Sequence, residues 1–163
     1  MIQKKLNDKY ILIKTEFYPS SYRTKMGGHK ALLGVGGNVG DVLRSFNHLF
    51  WYFKRSGFVN IVETAPILKN PPFGYTKQDD FYNSLILVET MLTPKELLRY
   101  VLRVEKVFRR KRLFKDGPRT LDIDIIFYEK VNMDTQNLTI PHIGWNKRAS
   151  VLIPLSKMKK VVT

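Results

Sequence analysis

Two carboxylates two residues apart, Asp122 and Asp124, interrupt the apolar run "TLDIDIIFY". Alternate residues of a strand share a face, so Leu121, Ile123, Ile125 and Phe127 are expected on one side and both aspartates on the other, about 6–7 Å apart. That spacing suits a hard divalent cation, since Mg²⁺ commonly takes one or two carboxylates plus substrate phosphates. It equally suits two solvent-facing acids paired with neighbouring arginines. A basic stretch runs straight into the pair: Arg110, Lys111, Arg112, Lys115 and Arg119 precede it, and between Arg99 and Arg119 nine basic residues stand against two acidic ones. Phosphoryl transfer needs both signs, carboxylates for the metal and cations for the transferring group. His142 and Arg148 in "PHIGWNKR" could extend the basic side.

The rest of the chain must place these groups. With 163 residues, 44% of them hydrophobic, it is long enough for one domain with its own core. The net charge of +14 points to anionic partners, either small phosphates or nucleic acid. No cysteine is present, which excludes disulfides and thiolate metal sites and fits a cytoplasmic protein. No apolar stretch approaches a membrane span, and "YILI" is too short for a signal-peptide core.

Residues 1–29 read as an N-terminal extension with an extra strand in "YILIKTEFY" and a linker in "PSSYRTKMGGHK"; residues 30–163 read as the main domain. There, "KALLGVGG" predicts a strand, and Asp41 caps a helix carrying Val42, Phe46, Leu49 and Phe53. "FVNIVETAPI" and "FYNSLILVET" predict two strands joined by a long loop. In "TPKE", Thr93, Pro94 and Glu96 form a helix start with a capping box, followed by Leu97, Val101, Val104 and Phe108. "PRTLDIDIIFY" is the last main strand. The order β-α-β-β-α-β predicts an α+β, ferredoxin-like fold: an antiparallel sheet with both helices on one face and the other face open to a ligand. Many activities use this fold, so it decides no function.

"GVGGN" lacks both the Gly-Lys-Ser/Thr ending of a Walker loop and the spacing of a dinucleotide fingerprint. Tight packing at a strand end explains it, as does close approach of backbone to a flat ligand. Two rivals to a phosphoryl-transfer enzyme stay open. A nucleic-acid module would suit the fold and the charge, but its sheet would offer aromatics rather than two aspartates. A metal-dependent nucleotidyltransferase would also carry paired aspartates, and would release free diphosphate.

"GNVGD", "PPFG", "DDFYN", "RRKR" followed by "GPRTLDIDI", and "TIPH" followed by "NKR…LIPL" resemble, in order and spacing, the 6-hydroxymethyl-7,8-dihydropterin pyrophosphokinase family of folate biosynthesis, from about Ala31 to Leu155. The resemblance implies an ATP-dependent diphosphotransferase that moves diphosphate from ATP to the pterin hydroxymethyl group and releases AMP. It implies two Mg²⁺ ions on Asp122 and Asp124, and catalytic arginines at Arg110 and Arg112 on a loop that closes over the phosphates. Lys115, Arg119, His142, Arg148 and Glu105 fall at ATP-binding positions. Asn70, Pro71, Phe73, Phe81, Asn83 and Ser150 fall at pterin-binding positions. The implied partners are ATP and the dihydropterin, with no nucleic acid and no membrane, for a monomer.

The chain departs from the family pattern at several of these places. Gly37 and Asn70 replace Ser and Thr, Lys115 replaces Arg, and Asp116 replaces a Trp that helps cover the site. Ser150 stands where a Phe stacks on the pterin, leaving one face of the ring without an aromatic partner unless Phe73 or Trp145 covers it.

Overall fold

The computed structural model describes residues 1–108 and 114–161, and its architecture is α+β. Eight strands among the described residues form one antiparallel sheet: β1 (Ile2–Lys5), β2 (Ile11–Lys14), β3 (Ser20–Ser21), β4 (His29–Gly37), β5 (Val59–Thr64), β6 (Ile67–Asn70), β7 (Phe81–Thr90) and β8 (Asp122–Tyr128). Their order is β1-β2-β6-β7-β4-β8, with β5 also on β7 and β3 on β5. A small ribbon of β9 (Met133–Asp134) and β10 (Thr139–Ile140) stands apart. The described residues also form three α-helices: α1 (Val42–Arg55), α2 (Pro94–Val107) and α3 (Ala149–Ser156).

Local chemistry accounts for the first two helices. Asp41 accepts from the Arg44 N–H at the start of α1, and Thr93 and Glu96 close a reciprocal capping box at the start of α2. Val42, Phe46, Leu49, Phe50 and Phe53 form the buried stripe of α1; Leu97, Tyr100, Val101 and Val104 form that of α2. Each large apolar side chain fully buried this way contributes roughly 1.5–3 kcal/mol before entropic costs. Both stripes pack on Leu33, Val35, Ile86, Val88, Ile123 and Ile125 of the sheet.

"FVNIVETAPI" is not one strand. It breaks at Ala65–Pro66 into β5 and β6, and the Ser84 hydroxyl donates to the carbonyls of both residues. Pro66 has no N–H for the ladder, so the strand ends there. The N-terminal segment joins the sheet: β2 pairs with β6, and Tyr18 is fully buried with its hydroxyl donating to the Phe46 carbonyl at 2.8 Å.

Two further expectations are corrected. A register shift against β4 between Leu32 and Leu33 turns the end of β8 over, so Tyr128 enters the helix-side core while Phe127 packs on the opposite face. That opposite face is also not fully open. α3 crosses it, and Leu32, Val62, Ala65, Leu85, Leu87, Ile126 and Val151 form a second apolar cluster beneath the helix. What α3 leaves uncovered is a cleft.

Candidate active site

The floor of the cleft is made by three neighbouring strands, β7, β4 and β8. On β8, Asp122 stands across from Gly36 and Asp124 across from Gly34. The glycines put no side chain beside the carboxylates, which leaves room between β8 and β7. On the other flank Asn83 of β7 stands across from Gly36, and a Cβ built on Gly36 would lie 2.4 Å from Asn83 Oδ1. The glycine motif thus packs tightly and brings an acidic and an amide side chain together over bare backbone.

Asp122 and Asp124 both line this cleft, with Phe81, Asn83, Arg119, His142, Arg148 and Ser150. Arg119 donates from Nη1 to Asp122 Oδ2 at 2.8 Å, and its guanidinium lies 5.2 Å from the centroid of the Phe81 ring. His142 Nε2 lies 3.8 Å from Asp124 Oδ2, and His142 Nδ1 is buried without a hydrogen-bond partner among the described residues. Burial, and then the neighbouring Asp122 charge, hold the Asp124 carboxyl above the usual carboxylate range; the nearby charges of His142, Arg119 and Arg148 offset this only in part.

A second cleft of about 380 Å³ adjoins the first through Phe81, Asn83, Arg119, Arg148 and Ser150. Asn70, Pro71 and Phe73 line it, and the Asn83 side-chain amide donates to Asn70 Oδ1 at 2.7 Å. Phe73 is 71% exposed at the rim, with the Arg148 guanidinium over its ring. A third cleft of about 280 Å³ opens past Asp124 and His142 and is lined by Leu98, Ile125, Leu138 and Thr139.

The structure therefore gathers Asp122, Asp124, Arg119, His142, Arg148, Asn70, Pro71, Phe73, Phe81, Asn83 and Ser150 around connected clefts. Arg110 and Arg112 lie outside the described residues. Lys115 is exposed on the segment that leads from them to Gly117. Glu105 is buried on α2 and accepts from the Ile123 N–H at 2.8 Å, which fixes β8 from below rather than lining a cleft. Trp145 packs T-shaped against Phe127 and lines neither of the first two clefts.

Asn38, the last residue of "GVGGN", is a positioning residue that sequence reasoning passed over. It is buried, its Oδ1 accepts from the Arg119 N–H at 3.0 Å, and its amide donates to Gln78 and to the Asp79 carbonyl. An Asn after a glycine pair at a strand end was the available signal. Lys9 and Tyr10 also line the second cleft, and no local signal pointed to them.

The donor set suits a hard cation brought with a phosphate ligand. Two carboxylates face one cleft, and one of them is held above its usual range by burial and then by the charge of the other. Among the described residues no three His, Cys, Asp or Glu side chains gather into a closed cage. Such a pair suits an ion whose shell is completed by phosphate and water oxygens.

Residues 32–160 match the pattern of the 7,8-dihydro-6-hydroxymethylpterin-pyrophosphokinase family. The chain is 39% identical over 148 residues to the 2-amino-4-hydroxy-6-hydroxymethyldihydropteridine pyrophosphokinase of Helicobacter pylori, covering 89% of this chain and 91% of the relative. The enzyme of the same name from Campylobacter jejuni is 37% identical over 144 residues, covering 87% and 91%. That from Methylorubrum extorquens is 33% identical over 129 residues, covering 79% and 82%.

Proposed function

The chain belongs to the 7,8-dihydro-6-hydroxymethylpterin-pyrophosphokinase family, and from that premise we propose how its clefts divide the work. It is an ATP-dependent diphosphotransferase acting on 6-hydroxymethyldihydropterin in folate biosynthesis. The observation that carries the assignment of sites is Asp122 standing across Gly36 from Asn83, with Asp124 beside it in the same cleft, where metal, phosphate and substrate edge can meet.

Asp122 and Asp124 would hold two Mg²⁺ ions together with ATP. When bound, the ions supply positive charge against the phosphate oxygens. Arg119, His142 and Arg148 bind the phosphates from the walls, and Lys115 does so from the segment before Gly117. Arg110 and Arg112 add charge as the reaction proceeds, and we assign these two the part that matters most in the transition state. The third cleft, apolar on one side and polar on the other, suits the nucleoside end of ATP. Glu105 acts at one remove, holding β8 through the Ile123 N–H. In the second cleft the pterin lies by Phe81, with its amide edge on Asn83, which Asn70 orients; Pro71, Phe73 and Ser150 complete the wall.

The transfer itself needs placement. The hydroxymethyl oxygen attacks the β-phosphorus in line and gives up its proton to water, the bond from that phosphorus to the α-phosphate oxygen breaks, and AMP leaves.

We assign the finer fold class as ferredoxin-like, supported by the antiparallel order β6-β7-β4-β8 and by α1 and α2 on one face. Residues 1–29 we read as an extension to a pyrophosphokinase domain of residues 30–163, a division supported by the family match at residues 32–160. No described helix is long and apolar enough to cross a membrane. We take the protein to work as a cytoplasmic monomer on small molecules; the two aspartates that the edge strand β8 presents to the cleft would repel a nucleic-acid backbone there.

One assay tests the reading. Purified protein with ATP, Mg²⁺ and the dihydropterin should give AMP and pterin diphosphate in equal amounts. Free diphosphate with a nucleotidylated acceptor would replace it by nucleotidyl transfer.

A further inference from the structure

We propose that the hairpin of β1 and β2 is a wall of the pterin subsite, with Tyr10 as the aromatic side chain that meets the substrate. The inference rests on the pterin reading of the second cleft given above.

Register alone places Tyr10 there. β2 pairs with β6 as Ile11↔Lys69, Leu12↔Leu68 and Ile13↔Ile67, so the next step outward sets Tyr10 beside Asn70. β6 pairs with β7 as Leu68↔Asn83 and Asn70↔Phe81. Cross-strand partners share a face and a strand alternates with period two. Leu12, Leu68 and Asn83 therefore form one row, and Tyr10, Asn70 and Phe81 form the next row on the same face. Ile11 and Ile13 fall on the opposite face, in the helix-side core. The shape of the cleft agrees independently, for Tyr10 lines it together with Asn70, Phe81, Asn83 and Ser150.

The turn is built to hold Tyr10 in place. Asn7 Oδ1 accepts from the N–H groups of Lys9 and Tyr10, each at 2.8 Å, and the Leu6 N–H donates to the Tyr10 carbonyl at 2.8 Å. Tyr10 is half-buried while its neighbours in the turn are exposed. The family match begins at residue 32, so this wall lies outside the pattern that identified the chain.

The need for it is local. Phe81 offers one ring, Ser150 offers none, Trp145 is packed on Phe127, and Phe73 is occupied by Arg148 at the rim. A flat heteroaromatic bound beside Phe81 would find its second aromatic contact at Tyr10. The chain thus replaces a ring missing at Ser150 by one brought in from about 140 residues away, through strand pairing rather than through the helix.

The test uses the full chain and four variants: Tyr10→Ala, Tyr10→Leu, Tyr10→Phe and Asn83→Ala. Each is titrated with 6-hydroxymethyl-7,8-dihydropterin in the presence of a non-hydrolysable ATP analogue, then with the analogue alone, and its thermal midpoint is recorded. Stacking on an aromatic side chain predicts that Tyr10→Ala binds the pterin about tenfold more weakly. Tyr10→Phe should bind like the parent, and analogue affinity and midpoint should stay unchanged. Tyr10→Leu keeps bulk without a ring and carries the same expectation if the alanine variant does not fold. If Tyr10→Ala and Tyr10→Leu bind pterin like the parent while Asn83→Ala is weakened, the hairpin inference fails and the pterin reading stands. If Asn83→Ala is also unaffected, the pterin reading fails and the inference goes with it. Equal losses of midpoint, analogue affinity and pterin affinity would make Tyr10 a structural prop and overturn the proposal.

Discussion

Arg119 donates to Asp122 at 2.8 Å across a pair whose side chains are only 13% and 15% exposed, whereas Asp124 has His142 no nearer than 3.8 Å. The two carboxylates are therefore unequal, although the sequence presents them as twins. Both face the cleft, so Asp122→Asn and Asp124→Asn should each lower turnover by about 10²-fold or more, through loss of metal-assisted charge stabilisation. The expected AMP release, measured on folded variants at saturating substrates, distinguishes this from a surface role. Near-parental turnover by either folded variant rejects the metal assignment.

Their effects on stability should be opposite. Asp122→Asn breaks a largely buried ion pair and leaves Arg119 short of its partner, so the thermal midpoint should fall. Asp124 is held above the usual carboxylate range by burial and then by the Asp122 charge. A raised folded-state value means that the native chain binds more protons than the unfolded one over the window from the ordinary carboxylate range upward. Stability from this group is therefore lost as pH rises through that window. Asp124→Asn should flatten that part of the midpoint-against-pH curve and raise the midpoint slightly at neutral pH. A fall at neutral pH would show that the carboxylate is stabilising where it stands.

Gly36 offers a different handle, because a Cβ there would press on Asn83 Oδ1 while Asn70 holds the other end of that amide at 2.7 Å. Gly36→Ala should tilt Asn83 away from the pterin edge. Loss of one hydrogen bond of about 0.5–1.5 kcal/mol corresponds to roughly 2–10-fold weaker pterin binding. Pterin KM should rise by that factor with kcat little changed, and the ATP KM should hold. A drop in kcat with both KM values unchanged would place Asn83 in the chemistry instead.

What the sequence revealed is what short-range physics encodes. Asp41, Thr93 and Glu96 announce their helices within one turn, and the period of two puts Asp122 and Asp124 on one face without any knowledge of the partner strands. What it hid depends on pairing across the chain. The register shift beside Leu33, which moves Phe127 off the core face, exists only where β8 meets β4. α3 is a short, mostly apolar run with Pro154 inside it, and it lacks the two-sided pattern that marks a surface helix, so the sheet face it covers read as open. Tyr10 reaches the cleft only through the pairing of β2 with β6, which no window of residues 1–29 contains.

The segment before β4 depends on another buried acid. Glu89 of β7 is fully buried and accepts through Oε1 from the Lys25 and Met26 N–H groups and, at 3.0 Å, from the Asn60 amide. Burial by itself would raise its pKa. The bonds from Met26, Lys25 and Asn60, with the charge of Lys30, outweigh burial and hold the carboxyl below its ordinary range. The sign is then opposite to that of Asp124: the contribution is present above the unfolded-state value of about 4.3 and is lost as pH falls through the folded-state value. Glu89→Gln keeps the shape but removes the charge from these bonds, each worth roughly 1.5–3 kcal/mol when an ion takes part. The variant should melt several degrees lower at neutral pH and lose less of its midpoint on acidification than the parent. Amide exchange at Lys25 and Met26 should quicken in step, because their acceptor is weakened while β4 stays paired on both sides. An unchanged midpoint with parental exchange at those two residues would mean that Glu89 does not anchor the segment.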